Sequence, residues 1–170
     1  MSGSAAIDAQ VGRLAQALRA LGARLVTAES CTGGLIAAAC TSLAGSSDWF
    51  ERGFVTYSNE AKVDLLGVPP TLIAAHGAVS REVAEAMATG ALAHARASLA
   101  VAVTGIAGPG GGTPAKPVGT VWIAVASTGA PAEATLLQAS GDRAAVRALS
   151  VERAFELLLE RCAAMASPGS

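Results

Sequence analysis

The sequence predicts an α/β fold, namely a three-layer α/β/α sandwich around a mixed, mainly parallel sheet with a hairpin at one edge. Three observations predict this fold. Short apolar or β-branched runs alternate along the chain with segments whose apolar residues recur at helical spacing. The run at residues 98–104 is almost entirely apolar, which is typical of a strand covered on both faces. Two further runs flank residues 128–131 and predict the edge hairpin.

The first half of the chain contains five predicted elements. Apolar residues at helical spacing predict a first helix that ends at Gly22, and a β-branched run predicts a strand at residues 24–28. A second helix at residues 35–43, a strand at residues 53–58 and a short helix at residues 59–66 follow.

The second half begins with Pro69 and Pro70, which predict a turn that contains His76. The remaining predicted elements are helix 81–97 with Ser80 as its cap, strand 98–104, hairpin strands 120–127 and 133–140, and a final helix capped by Asp142. No linker or internal repeat interrupts them. We therefore expect one domain over residues 1–166 and a disordered tail at residues 167–170.

The composition is apolar and nearly neutral. Hydrophobic residues make up 52% of the 170 residues, charged residues make up 15%, and the formal net charge is −1. Because the sequence has no basic stripe, we expect neither a nucleic-acid partner nor a membrane partner. So few charges on a small domain indicate that a partner subunit covers part of the surface. We therefore expect a homodimer or a larger homo-oligomer.

The cysteines and the amino terminus predict a cytoplasmic protein. Cys31, Cys40 and Cys162 are widely spaced and form no C-x-x-C motif, so they predict neither a zinc site nor a disulfide framework. No cluster of histidines, cysteines or carboxylates has the spacing of metal ligands, so no metal is expected. The first residues lack a signal-peptide pattern, and no apolar run approaches the roughly 20 residues that span a membrane.

The first candidate motif is Ala-Glu-Ser-Cys-Thr-Gly-Gly at residues 28–34. It places Ser30 and Cys31 where a strand gives way to a helix, so that the free N–H groups of the helix would point at a bound ligand. Ser30 could be a nucleophile, or Cys31 could be, since thiols at helix N-termini have lowered pKa values. Alternatively, the motif is a structural helix cap. Glu29 would pair with Lys62 or form a surface bridge.

The second candidate motif is Tyr-Ser-Asn-Glu-Ala-Lys at residues 57–62. Lys62 can act as a base if its pKa is lowered, and Tyr57, the only tyrosine of the chain, can relay a proton. Alternatively, Lys62 is solvated, Tyr57 lies in the core, and Asn59 caps a short helix. Neither His76 nor His94 lies in a context that favours catalysis, so a histidine-based triad is not expected.

The third candidate motif is the glycine-rich stretch at residues 104–113, which follows the apolar strand. Consecutive N–H groups in such a loop can bind an anion, although the stretch is neither a Walker A motif nor a dinucleotide fingerprint. Arg143 offers a guanidinium suited to phosphate. The alternatives are a flexible surface loop and, for Arg143 and Arg147, an exposed helix face. Since all three motifs follow predicted strands, they predict a single site beyond the strand ends.

Together these segments resemble the C-terminal domain of the competence/damage-inducible protein A family. The resemblance covers about residues 7–163 in the family's order. The segments that carry it are 28–34 (AESCTGG), 57–62 (YSNEAK), 65–68 (LLGV), 77–80 (GAVS), 104–113 (TGIAGPGGGT), 116–121 (KPVGTV) and 141–143 (GDR). The family's separate N-terminal, molybdopterin-binding-like domain is not expected here.

The resemblance implies the activity of the family's stand-alone form, a nicotinamide-nucleotide amidohydrolase. This enzyme converts nicotinamide mononucleotide to nicotinate mononucleotide and ammonia without a metal or cofactor. The resemblance matches Ser30 to the nucleophile and Tyr57 with Lys62 to the activating groups, so that Lys62 acts directly or through Tyr57. The alternative function is a non-catalytic nucleotide-binding or protein-interaction module. We expect substrate contacts at Cys31, Thr32, Gly33, Gly34, Asn59, Thr104, Gly105, Gly108, Gly110, Gly111, Gly112 and Arg143.

Overall fold

A computed structural model describes residues 2–167 and residue 169 of the chain. The elements, in chain order, are α1 (Ser2–Leu21), β1 (Leu25–Glu29), α2 (Leu35–Ser42), a 3₁₀ turn (Ser46–Asp48), β2 (Phe50–Val55), α3 (Asn59–Leu66), α4 (Pro70–His76), α5 (Arg81–Ala93), β3 (Leu99–Gly105), β4 (Thr120–Ser127), β5 (Ala130–Gln138) and α6 (Arg143–Ala166). The predicted tail at residues 167–170 includes residues 168 and 170, which lie outside the described part.

The five strands form one mixed sheet with the order β2-β1-β3-β4-β5. The β1–β2 and β1–β3 pairs are parallel, whereas the β3–β4 and β4–β5 pairs are antiparallel. Four of the five strands therefore run in the same direction, and β4 alone opposes them. The α/β fold with a mixed sheet and an edge hairpin is confirmed.

The two faces of the sheet carry side chains of different size. In β3, Leu99, Val101 and Val103 face the core formed with α1, α2 and α6, while Ala100 and Ala102 face α5. Because successive side chains of a strand point to opposite faces, a sequence that alternates bulky residues with alanine builds two unlike layers. Alanine and glycine on α5 complete the thinner layer, and a Cβ at Gly90 would collide with the backbone of α3.

Four local features differ from the sequence prediction. Strand β2 is Phe50–Val55, so Tyr57 follows the strand rather than lying within it. Residues 70–76 form α4 instead of a turn, because Pro70 occupies the first helical position, where its missing N–H is not needed. Helix α5 ends at Ala93, and His94 lies at its C-terminal cap. The hairpin turn contains only residues 128–129, so β5 starts earlier than predicted.

The topology brings the three candidate motifs together. Strands β1, β2 and β3 are neighbours and parallel, so their carboxyl ends lie at the same edge of the sheet. The segments that leave these ends carry Ser30, Lys62 and the glycine-rich loop. None of the helices in the described chain is long and apolar enough to cross a membrane.

Candidate active site

A cleft of about 280 Å³ opens at this edge of the sheet. Eleven of the residues predicted for the site line it, and four further residues join them. The predicted lining residues are Ser30, Cys31, Tyr57, Asn59, Lys62, Thr104, Gly105, Gly108, Gly110, Gly111 and Arg143, and the additional ones are Ala78, Val79, Ile106 and Ala107. Residues 78 and 79 lie just before Ser80, the cap of α5, and their sequence signals were this position and the family resemblance of residues 77–80.

Ser30 and Lys62 meet at the base of this cleft. Ser30 follows β1, and its N–H donates to the carbonyl of Val103 at 2.9 Å, which fixes the residue against β3. Lys62 lies on α3, and its Nζ donates to Ser30 Oγ at 3.0 Å. Both side chains are buried, with exposed fractions of 8% for Ser30 and 1% for Lys62. The solvated position considered for Lys62 is therefore wrong.

Backbone carbonyls surround the amine of Lys62. Its Nζ donates to the carbonyl of Thr56 at 2.9 Å and to that of Tyr57 at 3.3 Å. No carboxylate of the described residues lies within ion-pair distance of this amine. Burial lowers the pKa of Lys62 from its usual value of 10.5, with Cys31 opposing this effect. Desolvation therefore makes the neutral amine more accessible than in a solvated lysine, and in that form Nζ can accept a proton from the adjacent serine hydroxyl.

Glu29 performs neither of the roles predicted for it. Its carboxylate is fully buried and accepts hydrogen bonds from the Thr32 hydroxyl at 2.7 Å and the N–H groups of Ile36 at 2.9 Å and Ala37 at 3.0 Å. It neither pairs with Lys62 nor lies at the surface. A carboxylate at a helix N-terminus satisfies donors that the helix leaves open and complements its dipole. The sequence interpretation failed because it treated Glu29 as a free charge.

The α2 N-terminus has no free donor for a ligand, contrary to prediction. Leu35 N–H donates to the Thr32 carbonyl, Ala38 N–H donates to the Gly34 carbonyl, and Glu29 accepts from the two residues between them. The available donors lie one turn earlier. The N–H groups of Cys31 and Thr32 donate to no oxygen atom in the described chain. Cys31 lines the cleft, so its N–H can receive an oxyanion that develops next to Ser30, whereas Thr32 is fully buried.

We expect Glu29→Gln to destabilise the fold by about 2–3 kcal/mol, because hydrogen bonds to a charged acceptor each contribute about 1.5–3 kcal/mol. The amide retains one acceptor oxygen and directs an NH₂ group at donors that need an acceptor. Urea unfolding followed by circular dichroism measures the difference. Glu160→Gln, an exposed change on α6, is the matched control and should stay within about 0.5 kcal/mol of the parent. A Glu29→Gln protein as stable as that control would contradict the assignment.

Two arginines of α6 form hydrogen bonds with the segments that surround the site. Arg143 donates to the Gly108 carbonyl at 2.8 Å and to the Tyr57 hydroxyl at 2.9 Å. Arg147 donates through Nε to the Cys31 carbonyl at 3.1 Å and through Nη2 to the Thr32 carbonyl at 3.2 Å. Arg143 is exposed, as the helix-face alternative expected, and Arg147 is half-buried, but both side chains donate hydrogen bonds to residues of the site. Sequence spacing does not reveal these contacts, because they join residues 35 to 116 positions apart.

Tyr57 is exposed rather than part of the core, with 60% of its surface accessible. Its hydroxyl accepts from Arg143, and within the described residues it makes no hydrogen bond to Lys62, which contacts only the Tyr57 carbonyl. A proton path from Ser30 to Lys62 therefore does not need Tyr57. The cap of α3 is Ser58, whose hydroxyl accepts from the Ala61 N–H, so Asn59 is free to line the cleft.

The Cys31 thiol is a poor candidate for the nucleophile. Burial raises its pKa to about 11, so the thiol stays protonated near neutral pH. The prediction of a lowered pKa is wrong, because the desolvation of the thiolate outweighs the hydrogen bond from the Cys31 backbone and the nearby positive charge of Arg147.

The glycine-rich loop presents free backbone donors to the cleft. The N–H groups of Ala107, Gly108, Gly110 and Gly111 donate to no oxygen atom of the described chain. Gly108 and Gly111 have positive φ values of 83° and 87°, which a residue with a side chain rarely adopts. Thr104 anchors the start of the loop, since its hydroxyl donates to the Ala78 carbonyl at 2.9 Å. Such a run of donors can hold an anion.

Four predicted contact residues do not line the cleft, namely Thr32, Gly33, Gly34 and Gly112. The side chain of Thr32 is directed to Glu29, and Gly112 packs against the backbone of Val118. No group of three or more histidines, cysteines or acidic residues in the described chain could hold a metal ion.

Comparison with known proteins gives one family. The model of the CinA C-terminal domain matches residues 8–162. The nicotinamide-nucleotide amidohydrolase PncC of Escherichia coli K12 is 52% identical over 155 residues, covering 91% of this chain and 92% of that protein. PncC of Pseudomonas putida is 54% identical over 148 residues, covering 87% and 92%.

The fold agrees with the sequence comparison. The crystal structure of the competence/damage-inducible protein CihA from Agrobacterium tumefaciens superposes with a TM-score of 0.89 at 45% identity, covering 95% of this chain and 96% of that one. The chain described here belongs to the CinA C-terminal domain family.

Proposed function

We propose that this protein is a nicotinamide-nucleotide amidohydrolase that converts nicotinamide mononucleotide to nicotinate mononucleotide and ammonia. The observation that carries the proposal is the 3.0 Å hydrogen bond between Lys62 Nζ and Ser30 Oγ in the cleft at the strand ends. A serine needs an adjacent base to become a nucleophile, and a buried lysine can supply one. The relatives named as amidohydrolases support the choice of reaction and substrate.

In the first half of the reaction, neutral Lys62 accepts the proton of Ser30 while Oγ attacks the carbonyl carbon of the carboxamide. The C=O π electrons move onto the oxygen, which becomes an oxyanion. The N–H group of Cys31, which lines the cleft, stabilises that oxyanion; one such donor contributes about 3–4 kcal/mol in other hydrolases. The direct contact supports Lys62 as the immediate base, so that the proton of Ser30 needs no relay through Tyr57.

In the second half, the oxyanion collapses, the C–N bond breaks, and ammonia leaves with the proton that Lys62 carries. The acyl group is then an ester of Ser30. Lys62, neutral again, takes a proton from water as the water oxygen attacks the ester. Collapse of this second intermediate returns the proton to Ser30 and releases nicotinate mononucleotide. No metal and no cofactor enters these steps.

The rest of the cleft suits the remainder of the nucleotide. The 5′-phosphate carries the substrate's negative charge, and Arg143 and the free N–H groups at residues 107–111 are the complementary groups. The pyridinium ring carries a positive charge next to the reacting carbonyl. This charge disfavours a protonated Lys62, so bound substrate further promotes the neutral amine that the chemistry requires.

Replacing Arg143 with alanine should raise KM for nicotinamide mononucleotide by about 10- to 100-fold, the equivalent of one lost charge-assisted contact. We expect kcat to change less, because Arg143 does not contact Ser30 or Lys62. Steady-state ammonia release measures both constants. Arg153→Ala is the matched control, since Arg153 lies on the same helix and, among the described residues, forms ion pairs only with Glu156 and Glu160. An unchanged KM in Arg143→Ala would remove this residue from phosphate binding.

The decisive experiment follows ammonia release from nicotinamide mononucleotide by the purified protein in the presence of a chelator, with Ser30→Ala in parallel. Release that persists with chelator and disappears in the variant supports a metal-independent serine amidohydrolase. Release that the chelator abolishes contradicts metal independence. Saturable nucleotide binding without release favours a non-catalytic nucleotide-binding module.

We further propose that the protein works in the cytoplasm as a homodimer or larger homo-oligomer. The low charge content and the three unpaired cysteines support this assignment. Light scattering on the eluting peak of a gel-filtration column tests the oligomeric state, and a monomer mass at micromolar concentration would contradict it.

A further inference from the structure

The connection between β3 and β4 has few contacts that fix its position. This β3–β4 loop, residues 107–118, contains neither helix nor strand, and four of its residues are glycine. Within the described chain, its hydrogen bonds to residues outside the loop, other than those from Thr120 at the start of β4, involve two cationic side chains. One is Arg143, which donates to the Gly108 carbonyl, and the other is Lys116 of the loop itself.

Lys116 connects the loop to the end of α4. Its Nζ donates to the His76 carbonyl at 2.7 Å, and no carboxylate of the described residues lies within ion-pair distance of this amine. A cation is favourable at the C-terminus of a helix, where carbonyl groups lack partners. The next residue, Gly77, leaves room for the amine, because a Cβ there would lie 3.1 Å from Nζ.

The backbone that carries Lys116 is a tight turn. The Thr113 N–H donates to the Lys116 carbonyl at 2.8 Å, and the Lys116 N–H donates to the Thr113 hydroxyl at 3.0 Å. Pro114 and Pro117 restrict the backbone further, since the proline ring fixes φ. The hydrogen bond at Nζ therefore restrains the backbone of the loop as well as the side chain.

The segment between the two cationic contacts contains donors that we propose for the 5′-phosphate. Gly110 and Gly111 line the cleft, and their N–H groups donate to no oxygen atom of the described chain. Glycine has the largest conformational freedom of any residue, so ordering this segment when a ligand binds costs free energy. A loop that is held in its bound conformation beforehand avoids part of that cost and binds more tightly.

From these contacts we propose that Lys116 is a positioning residue, which holds the β3–β4 loop so that the N–H groups of Gly110 and Gly111 receive the 5′-phosphate. The inference rests on the proposed function. Lys116 does not line the cleft, and the reacting groups, Ser30 and Lys62, lie on other segments. Its loss should therefore weaken binding of the substrate and of the transition state alike, which raises KM and leaves kcat nearly unchanged.

The first test measures ammonia release by Lys116→Met, which removes the charged donor, and by Lys116→Arg, which retains one. Arg153→Met on the exposed side of α6 is the control. We expect KM for nicotinamide mononucleotide to rise by about 3- to 10-fold in Lys116→Met, the factor that corresponds to one typical hydrogen bond. Its kcat should stay within about twofold of the parent value. Lys116→Arg and Arg153→Met should retain the parental KM.

A second measurement separates positioning from direct contact with the phosphate. Amide ¹⁵N relaxation of the ligand-free protein gives backbone order parameters, which are about 0.85 in rigid segments and below about 0.6 in flexible ones. We expect the order parameters of Gly110 and Gly111 to fall toward the flexible range in Lys116→Met, whereas that of Gly90 within α5 stays the same. A lysine that only contacts the phosphate would leave the order of the ligand-free loop unchanged.

The same labelled samples are then titrated with ribose 5-phosphate, which carries the phosphate but has no amide to hydrolyse. We expect the signals of Gly110 and Gly111 to shift in the parent, and the Kd to rise by about 3- to 10-fold in Lys116→Met. This titration measures phosphate binding without turnover.

The outcomes are distinguishable. Unchanged order parameters in Lys116→Met overturn the positioning role, even where KM rises. A KM or a Kd for ribose 5-phosphate within twofold of the parent value also overturns it, as does the absence of shifts at Gly110 and Gly111 in the parent. If Lys116→Met does not fold, Lys116→Gln takes its place. Absence of ammonia release by the parent overturns the proposed function instead, and the order parameters and the ribose 5-phosphate titration then decide the role of Lys116.

Discussion

Replacing Ser30 with alanine should lower kcat for deamidation by about 10⁴-fold or more, the scale on which serine hydrolases lose activity without their nucleophile. The change deletes one oxygen atom from a buried site. The fold should therefore persist, and so should the proposed phosphate-binding groups, which are Arg143 and the N–H groups at residues 107–111. We therefore expect the Kd for nicotinamide mononucleotide, measured by titration calorimetry, to stay within a few-fold of the parent value.

Ser42→Ala is the matched control, since Ser42 ends α2 on the exposed side and donates only to the Ala39 carbonyl. It should retain parental kcat. Mass spectrometry of parent protein quenched during turnover should show the nicotinoyl-nucleotide ester on the peptide that contains Ser30. Substantial deamidation by Ser30→Ala, or an ester on a different residue, would show that Ser30 is not the nucleophile.

The second large effect concerns Lys62. Lys62→Met removes the base but keeps the length of the side chain, and Lys62→Arg keeps a charge that cannot be released near neutral pH. We expect either change to lower kcat by about 10²- to 10⁴-fold, the usual contribution of a general base. Comparable activity in Lys62→Arg and the parent would contradict proton transfer to this amine.

The pH dependence of the parent follows from the same residue. Burial lowers the pKa of Lys62 below 10.5, and only the neutral amine accepts a proton. Therefore kcat/KM should rise with pH through this lowered pKa and then level off. In the unfolded chain the lysine keeps its proton up to pH 10.5, so between the two pKa values the unfolded state binds more protons than the folded state. The stability of the parent relative to Lys62→Met should therefore increase as pH rises through that interval, which urea unfolding at several pH values measures.

Much of the fold could be predicted from the sequence because its signals are local. The alternation of valine and alanine in β3 and the capping residues Ser80 and Asp142 each specify an element without reference to distant parts of the chain. The site could be located for a related reason, since residues that follow parallel strands meet at one edge of the sheet.

The supporting contacts could not be predicted in the same way. The burial of Glu29, the raised pKa of Cys31 and the hydrogen bond from Arg147 to the Cys31 carbonyl are tertiary effects. They all depend on where α2 and α6 pack against the turn at residues 30–34. Amino-acid type alone suggested that Glu29 is a free charge, that Cys31 is a reactive thiol and that Arg147 lies on a solvated helix face. Desolvation and tertiary hydrogen bonding reversed each of these expectations.

The position of Lys62 has a consequence for how activity responds to stress. Its amine is fixed by carbonyl groups of residues 56–58, directly after β2, whereas Ser30 directly follows β1. The Thr56 N–H donates to the Glu29 carbonyl at 2.9 Å, so the β1–β2 ladder continues up to the reacting pair. Strand β2 lies at the edge of the sheet and is held on one side only. Fraying of this edge would separate the amine from the hydroxyl while the remaining four strands stay paired. Inactivation by heat or denaturant would therefore precede global unfolding.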